Sequence, residues 1–149
     1  MLKKYKLGFD IWGFFLFLII MIPNFIWFAV PAPEDILRAN SITETTDAIA
    51  SVCQVLLVIA LCFLVNRNRT GLHITLCIAA VIIFIFLYFV SWAGYYAGTV
   101  NNVIILGLTV FPCLAFLFFA IDRKNWIAIV PISVFTACHL IYSIVNFII

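Results

Sequence analysis

The chain has 149 residues, of which 67% are hydrophobic and only 9% are charged, and its formal net charge is +2. Soluble domains carry roughly 25% charged residues, so this composition excludes an ordinary soluble domain and indicates that most side chains face lipid. Neither the small net charge nor any basic run with interleaved aromatic residues supports nucleic-acid binding.

Long apolar runs predict five transmembrane helices, because roughly 20 residues cross the hydrocarbon core of a bilayer. We place the spans at residues 9–29, 47–65, 73–96, 103–121 and 126–148, within one transmembrane domain covering residues 1–149. Continuous runs of this length favour helices over the alternating strands of a membrane barrel. The predicted fold class is therefore an all-α integral membrane helical bundle.

The first span has a second interpretation. A basic segment before an apolar run also begins a secretory signal peptide, and Val30-Pro31-Ala32 loosely resembles a cleavage site. The length and aromatic content of the run, with Pro33 just beyond that site, favour a retained span.

Residues 30–46 form the longest polar segment of the chain. Pro31 and Pro33 prevent an ordinary helix there, since each lacks an N–H and restricts the residue before it. Glu34, Asp35 and Glu44 outnumber Arg38, so we expect an acidic loop between the first two spans.

The distribution of basic residues predicts the orientation of the spans. If the spans alternate in direction, Arg38 lies on one side and the remaining basic residues lie on the other: Lys3, Lys4, Lys6, Arg67, Arg69, Arg123 and Lys124. The N-terminus is therefore predicted to be cytoplasmic, and the acidic loop and the C-terminus external. Trp92, Tyr95 and Tyr96 are expected to form an outer aromatic belt, and Tyr5 and Trp126 an inner one.

The five cysteines all lie inside apolar runs, and no two form a C-x-x-C pair: Cys53, Cys62, Cys77, Cys113 and Cys138. This spacing predicts neither a disulfide framework nor a zinc site. We expect small buried side chains, no metal and no cofactor.

Ionisable residues are scarce within the predicted spans. His139 is the only one well inside, apart from thiols and tyrosines, whereas Asp10, Asp47 and His73 lie near span ends. This pattern argues against an ion-coupled transporter, which uses intramembrane charges. A single histidine without a carboxylate partner also disfavours an intramembrane enzyme.

Polar residues recur at helical spacing in the outer halves of the spans, which places them on common faces. We predict that eight of them form a ligand-binding pocket beneath the acidic loop: Asn24, Trp27, Gln54, Ser91, Trp92, Tyr95, His139 and Asn146. The simpler alternative is that they are hydrogen-bonding contacts between helices, each worth about 0.6 kcal/mol.

Two regions carry a family resemblance. The segments Pro23-Asn24-x-x-Trp27 and Pro31-x-Pro33-x-Asp35-x-Leu37-Arg38, with the stretches 111–116 and 120–124, resemble a family of small multi-pass bacterial membrane proteins. The similarity covers nearly the whole chain. It implies a bacterial cytoplasmic membrane, but this family has no assigned activity and supplies no functional residues.

The expected function is a non-enzymatic binding, accessory or immunity-like role, acting through an outward-facing polar cluster. The alternative is a small transporter or permease component for a weakly polar solute. The expected partners are the lipid bilayer, a small-molecule ligand and an unidentified membrane protein, without nucleic acid.

Overall fold

The structure, a computed structural model, describes residues 4–68 and 73–149. Most of these residues form five helices, each long and apolar enough to cross a membrane: α1 (Ile11–Ala29), α2 (Glu44–Phe63), α3 (Leu76–Tyr96), α4 (Asn102–Asp122) and α5 (Trp126–Phe147). The described residues also form two short strands, β1 (Tyr5–Leu7) and β2 (Leu64–Asn66), and a 3-10 turn (Ile36–Arg38). The predicted all-α class with five apolar helices is confirmed.

The bounds of α2 differ most from the predicted span 47–65. The helix begins three residues earlier, at Glu44, and ends at Phe63 because Leu64–Asn66 pairs antiparallel with Tyr5–Leu7. Asn125 supports this end by donating hydrogen bonds from Nδ2 to the carbonyl oxygens of Ala60 (2.8 Å) and Leu64 (2.9 Å). Three-residue strands are too short to show a period in the sequence, so the strand pair was not predicted.

Polar side chains set the starts of the other helices. Asp10 accepts hydrogen bonds from Trp12 N and Gly13 N at the start of α1, and Thr75 accepts one from Ile78 N at the start of α3. Because Thr75 caps α3, the helix begins at Leu76 rather than at the predicted residue 73.

The strand pair marks one end of the bundle, here called the strand end. The opposite end carries residues 30–43 and is called the loop end. Successive helices alternate in direction between them, which places five basic residues at the strand end: Lys4, Lys6, Arg67, Arg123 and Lys124. Arg38 lies at the loop end, and Lys3 and Arg69 of the predicted basic set lie outside the described residues.

Four helices form a continuous packed row, in which α3 packs along α4, α4 along α5, and α5 along α2. Helix α1 meets the row chiefly through α2. The two backbones approach closely near the strand end, where a Cβ added to Gly13 would lie 2.8 Å from the carbonyl oxygen of Leu61.

A buried polar cluster holds the strand end together. Arg123 donates to Asp10 Oδ2 from both Nε and Nη2, at 2.8 Å each, and both side chains are almost completely buried. The Thr75 hydroxyl donates to Asp122 Oδ1, which ties the start of α3 to the end of α4. These contacts join α1, α3 and α4 at the strand end of the bundle.

Candidate ligand-binding cavity

A cavity of about 360 Å³ lies among the five helices in the loop half of the bundle. Residues spaced at three and four positions form its α1 wall, namely Phe17, Ile20, Met21 and Asn24. Its α2 wall runs from Asp47 to Val58. The two helices touch near Gly13 and Leu61, so the cavity occupies the space between them on the loop side of that contact.

The base and back of the cavity are apolar. Leu108, Pro112 and Phe116 of α4 and Phe135 of α5 contribute these surfaces, together with Leu57 and Val58 of α2. Volumes of roughly 300–1,000 Å³ with mainly apolar walls are typical of small-molecule sites. The apolar portion of a ligand is therefore expected to lie deepest, toward the strand end.

Gln54 carries a polar amide near the middle of α2. It is ten residues into α2, about 15 Å from Glu44 at 1.5 Å per residue. Its side chain is exposed and makes no hydrogen bond within the part of the chain described here. An amide left unpaired in an apolar medium costs several kcal/mol, so this position needs water or a ligand beside it.

His139 lines the cavity between two aromatic rings. Its ring centroid lies 5.0 Å from that of Phe135 and 6.0 Å from that of Tyr142, with near-parallel planes in both pairs. Neither ring nitrogen is hydrogen-bonded within residues 4–68 and 73–149. Stacking therefore fixes the orientation of the imidazole while its nitrogens stay available to a ligand.

Asn24 and Tyr88 form a third polar point. Asn24 donates from Nδ2 to the hydroxyl of Tyr88 at 2.8 Å and to the carbonyl of Ile20 at 3.1 Å. The hydroxyl proton of Tyr88 and the carbonyl oxygen of Asn24 make no further hydrogen bond among the described residues. This pair offers a ligand one donor and one acceptor.

Among the described residues that line the cavity, only Asp47 has a formal charge. Its Oδ1 accepts a hydrogen bond from Thr43 Oγ1 at 3.1 Å. Asp47 and His139 line the same cavity, but no hydrogen bond or ion pair joins them within the described residues. The predicted span 47–65 already contained Asp47, but helical spacing alone does not show that this residue meets His139 of α5.

Three of the eight predicted site residues line the cavity, namely Asn24, Gln54 and His139. Their ligand-binding role stays a prediction. The other five lie outside the cavity, and three of them, Trp27, Tyr95 and Asn146, hold the loop instead.

Asp35 is the centre of that loop attachment. Its carboxylate accepts hydrogen bonds from Trp27 Nε1 (2.9 Å), the Tyr95 hydroxyl (2.9 Å) and Arg38 Nε (2.8 Å). Burial alone raises the pKa of Asp35, but these hydrogen bonds outweigh it and hold that pKa below its usual value. Arg38 also lies over the Trp27 ring, 5.0 Å from its centroid.

Asn146 attaches the other end of the loop. It accepts a hydrogen bond from Ile42 N and donates one to Thr43 Oγ1, both at 2.9 Å. The loop from 30 to 43 is thus held over the bundle at both ends by residues that the sequence had suggested as ligand contacts.

Ser91 and Trp92 are packing residues. The Ser91 hydroxyl donates to Leu87 O within α3, and the side chain faces Gly107, where an added Cβ would collide with it. Trp92 and Tyr95 are 6% and 0% exposed, so the predicted outer aromatic belt is wrong for both. Trp92 lies inside an aromatic cluster with Trp27 and Tyr88.

Four polar cavity residues were not among the predicted ligand contacts: Asp47, Ser51, Tyr88 and Tyr142. Each has a signal in the sequence, because Asp47, Ser51 and Gln54 are spaced along one helical face. Tyr142 stands three residues after His139, and Tyr88 three before Ser91. Spacing alone could not decide which of these faces meets α1.

Comparisons of the chain with family models, with curated proteins and with solved structures give no match.

Proposed function

We propose that this chain is a multi-pass protein of a bacterial cytoplasmic membrane, and that it binds a small amphiphilic molecule in the cavity between α1 and α2 without chemical change. The proposal depends on two polar side chains, Gln54 and His139, which face one apolar-walled cavity at membrane depth and have no hydrogen-bond partner among residues 4–68 and 73–149. Ordinary helix–helix contacts would satisfy such groups with each other.

The charges of the cavity and its surroundings favour an uncharged or cationic ligand head. Asp47 lines the cavity, and no lysine or arginine of the described ranges lines it as well. Glu34, Asp35 and Glu44 lie at the same end, against Arg38. A carboxylate or phosphate head would meet like charge in a medium of low dielectric constant, where repulsion is strong.

Access from the loop side follows from the proposed orientation. The basic strand end faces the cytoplasm under the positive-inside rule, which places the cavity in the external leaflet. Ser51 and Gln54 are exposed, and they line the cavity together with residues of α1. A ligand can therefore reach the cavity from the outer leaflet or from the external solution.

A non-enzymatic role fits the side-chain contacts better than catalysis. The Ser51 hydroxyl, which lines the cavity, donates to the backbone carbonyl oxygen of Asp47 at 2.9 Å and not to a carboxylate or an imidazole. His139 is fixed by stacking rather than by a hydrogen bond to a carboxylate or hydroxyl. Neither arrangement activates a nucleophile by the general-base route.

Transport of a weakly polar solute is the second candidate. Pro112 lines the cavity inside α4, and Pro23 precedes Asn24 inside α1, and such prolines can allow a helix to bend. The buried Arg123–Asp10 pair and the close contact of Gly13 with Leu61 close the path toward the strand end. Transport would require these contacts to separate.

Matched eight-carbon probes test the binding proposal. We expect octylamine and octanol to raise the melting temperature of the purified protein and octanoate to have no effect. Gln54→Leu and His139→Phe should each weaken octylamine binding roughly 5-fold, the loss of about 1 kcal/mol per hydrogen bond. Asp47→Asn should weaken octylamine at least tenfold but leave octanol nearly unchanged.

Glu44→Gln is the matched control for Asp47→Asn, because Glu44 is exposed in the same first turn of α2 and does not line the cavity. It should retain wild-type affinity. Equal binding of octanoate and octylamine would contradict the proposal. Equal losses of octylamine affinity in Asp47→Asn and Glu44→Gln would also contradict it. Protein-dependent uptake of octyltrimethylammonium into proteoliposomes would support transport instead.

A further inference from the structure

A groove of about 930 Å³ lies on the outer surface of α2 and α5 at the strand end, separate from the cavity. Its walls are apolar, and they consist of Cys53, Leu56, Ile59 and Ala60 of α2, Leu64 of β2, and Trp126, Ile127, Val130, Pro131 and Val134 of α5. Several wall residues are strongly exposed, such as Val130 at 66% and Leu56 at 50%. The groove therefore faces the surrounding lipid.

The groove has the length of one leaflet. Lys124 precedes α5, and Val134 lies ten residues further along the chain, which is about 15 Å at the helical rise. Half of a hydrocarbon core of about 30 Å is also about 15 Å. An acyl chain that enters beside Lys124 would follow the groove to the middle of the bilayer.

Two lysines stand at the open end of the groove, at the level expected for lipid headgroups. Lys4 and Lys124 line it there, together with Tyr5, Asn66 and Asn68. Both lysines are exposed, and neither forms an ion pair with another residue of the described ranges. Trp126, 56% exposed, lies beside them as interfacial tryptophans do.

The backbone at Lys124 gives an independent indication that this side chain has a role. Helix α4 ends in a Schellman motif, in which Lys124 N donates to Ile121 O (2.9 Å) and Asn125 N donates to Ala120 O (2.8 Å). The motif places Lys124 at φ 53°, where glycine is favoured because a Cβ is strained.

Helix α3 ends in the same motif, with glycine at the position of positive φ. Gly98 N donates to Tyr95 O, Thr99 N donates to Gly94 O, and Gly98 has φ 80°. At the equivalent position of α4, the chain has a lysine. Its carbonyl accepts hydrogen bonds from the Tyr5 hydroxyl (3.2 Å) and Asn66 Nδ2 (3.1 Å), which fix the lysine at the rim of the groove.

We propose that this groove binds one anionic phospholipid of the leaflet at the strand end. The phosphate lies between the ammonium groups of Lys4 and Lys124, and one acyl chain lies along the α2–α5 groove. Positive charge at the headgroup level and an apolar channel of leaflet length are complementary to such a lipid and to neither a soluble anion nor a peptide.

The test compares phosphatidylglycerol with phosphatidylcholine of identical acyl chains, added to the full-length protein in a neutral detergent. Native mass spectrometry should show one phosphatidylglycerol retained at least tenfold more strongly than phosphatidylcholine. The melting temperature should rise by several degrees with phosphatidylglycerol alone. Soluble glycerol phosphate at the same concentration should leave it unchanged.

Three variants separate the headgroup contact from general stability. Lys4→Gln and Lys124→Gly should each reduce the preference for phosphatidylglycerol several-fold. In the absence of anionic lipid, the melting temperature of Lys124→Gly should be no lower than that of wild type, because glycine adopts the positive φ without strain. Lys6→Gln is the control, since Lys6 is exposed on β1 beside Tyr5 and does not line the groove.

Several results would overturn the proposal. The first is equal retention of the two lipids by wild type, and the second is an unchanged preference for phosphatidylglycerol in Lys124→Gly. The third is a loss of that preference in Lys6→Gln as large as the loss in Lys4→Gln. If glycerol phosphate stabilised the protein as much as phosphatidylglycerol does, the acyl chain would not contribute to binding and the groove would not be part of the site.

Discussion

At the scale of single residues, Asp35 organises the loop end. It accepts hydrogen bonds from α1, through Trp27, and from α3, through Tyr95, and it also pairs with Arg38. Hydrogen bonds to a charged group are worth about 1.5–3 kcal/mol. One carboxylate therefore contributes much of the attachment of the loop to the bundle.

The lowered pKa of Asp35 predicts a specific pH dependence of stability. The unfolded chain takes up the proton near the usual pKa of about 3.9, and the folded chain takes it up at lower pH. The stabilisation is thus fully present above about pH 5 and is lost as pH falls through the folded pKa. Asp35→Asn should lower the free energy of unfolding by about 1–3 kcal/mol at neutral pH. It should also reduce the further loss of stability that wild type shows as the pH falls.

Thermal unfolding in detergent between pH 3 and pH 7 measures this effect. Glu34→Gln provides the control, because Glu34 is the exposed carboxylate next in sequence and makes no side-chain hydrogen bond within the described ranges. If Asp35→Asn loses as much stability as wild type when the pH falls, the titration of Asp35 does not cause that loss.

The sequence indicated the importance of some of these residues but not their partners. Trp27 and Tyr95 were expected to contact a ligand, whereas their polar atoms are bonded to Asp35. Tyr95 is 60 residues from Asp35 in the chain. Helical spacing reports which residues share a face, but it does not report which loop residue meets that face.

At the scale of elements, the contact of α1 with α2 sets the shape of the cavity. Gly13 allows the two backbones to touch near the strand end, and the cavity lies between the same helices further toward the loop. Gly13→Ala should separate α1 from α2 and lower stability by about 1–3 kcal/mol, the usual cost of overpacking.

Gly8→Ala is the matched control for that change. A Cβ at Gly8 would meet Val65 at 3.5 Å, which is an ordinary van der Waals distance, whereas the Cβ at Gly13 would meet a backbone oxygen. Equal melting temperatures for the two alanine variants would contradict the account of this contact.

Helix existence was predictable from apolar runs alone, whereas helix ends were not. The end of α2 depends on Asn125, a residue more than 60 positions away that binds the carbonyl oxygens of Ala60 and Leu64. Tertiary contacts of this kind leave no local pattern in the sequence.

At the scale of the whole molecule, the two ends of the bundle differ in charge. The strand end carries Lys4, Lys6, Arg67, Arg123 and Lys124, and the loop end carries Arg38 with an excess of carboxylates. We therefore predict a cytoplasmic N-terminus and an external C-terminus.

Reporter fusions at the two termini test this orientation. A cytoplasmic reporter should be active at residue 1 and an external reporter at residue 149. The opposite pattern would move the cavity to the cytoplasmic leaflet and the phospholipid groove to the outer one, and it would remove the argument for access from outside.

The two histidines of the chain allow binding of an uncharged or cationic amphiphile in the cavity beside His139 to be measured directly. His139 lines the cavity, whereas His73 is exposed at the strand end. In protein labelled at histidine and embedded in lipid nanodiscs, titration with octylamine should shift the imidazole NMR signals of His139 saturably and leave those of His73 in place. If the His139 signals do not move, or if both histidines shift together without saturation, the cavity is not a binding site for this class of molecule.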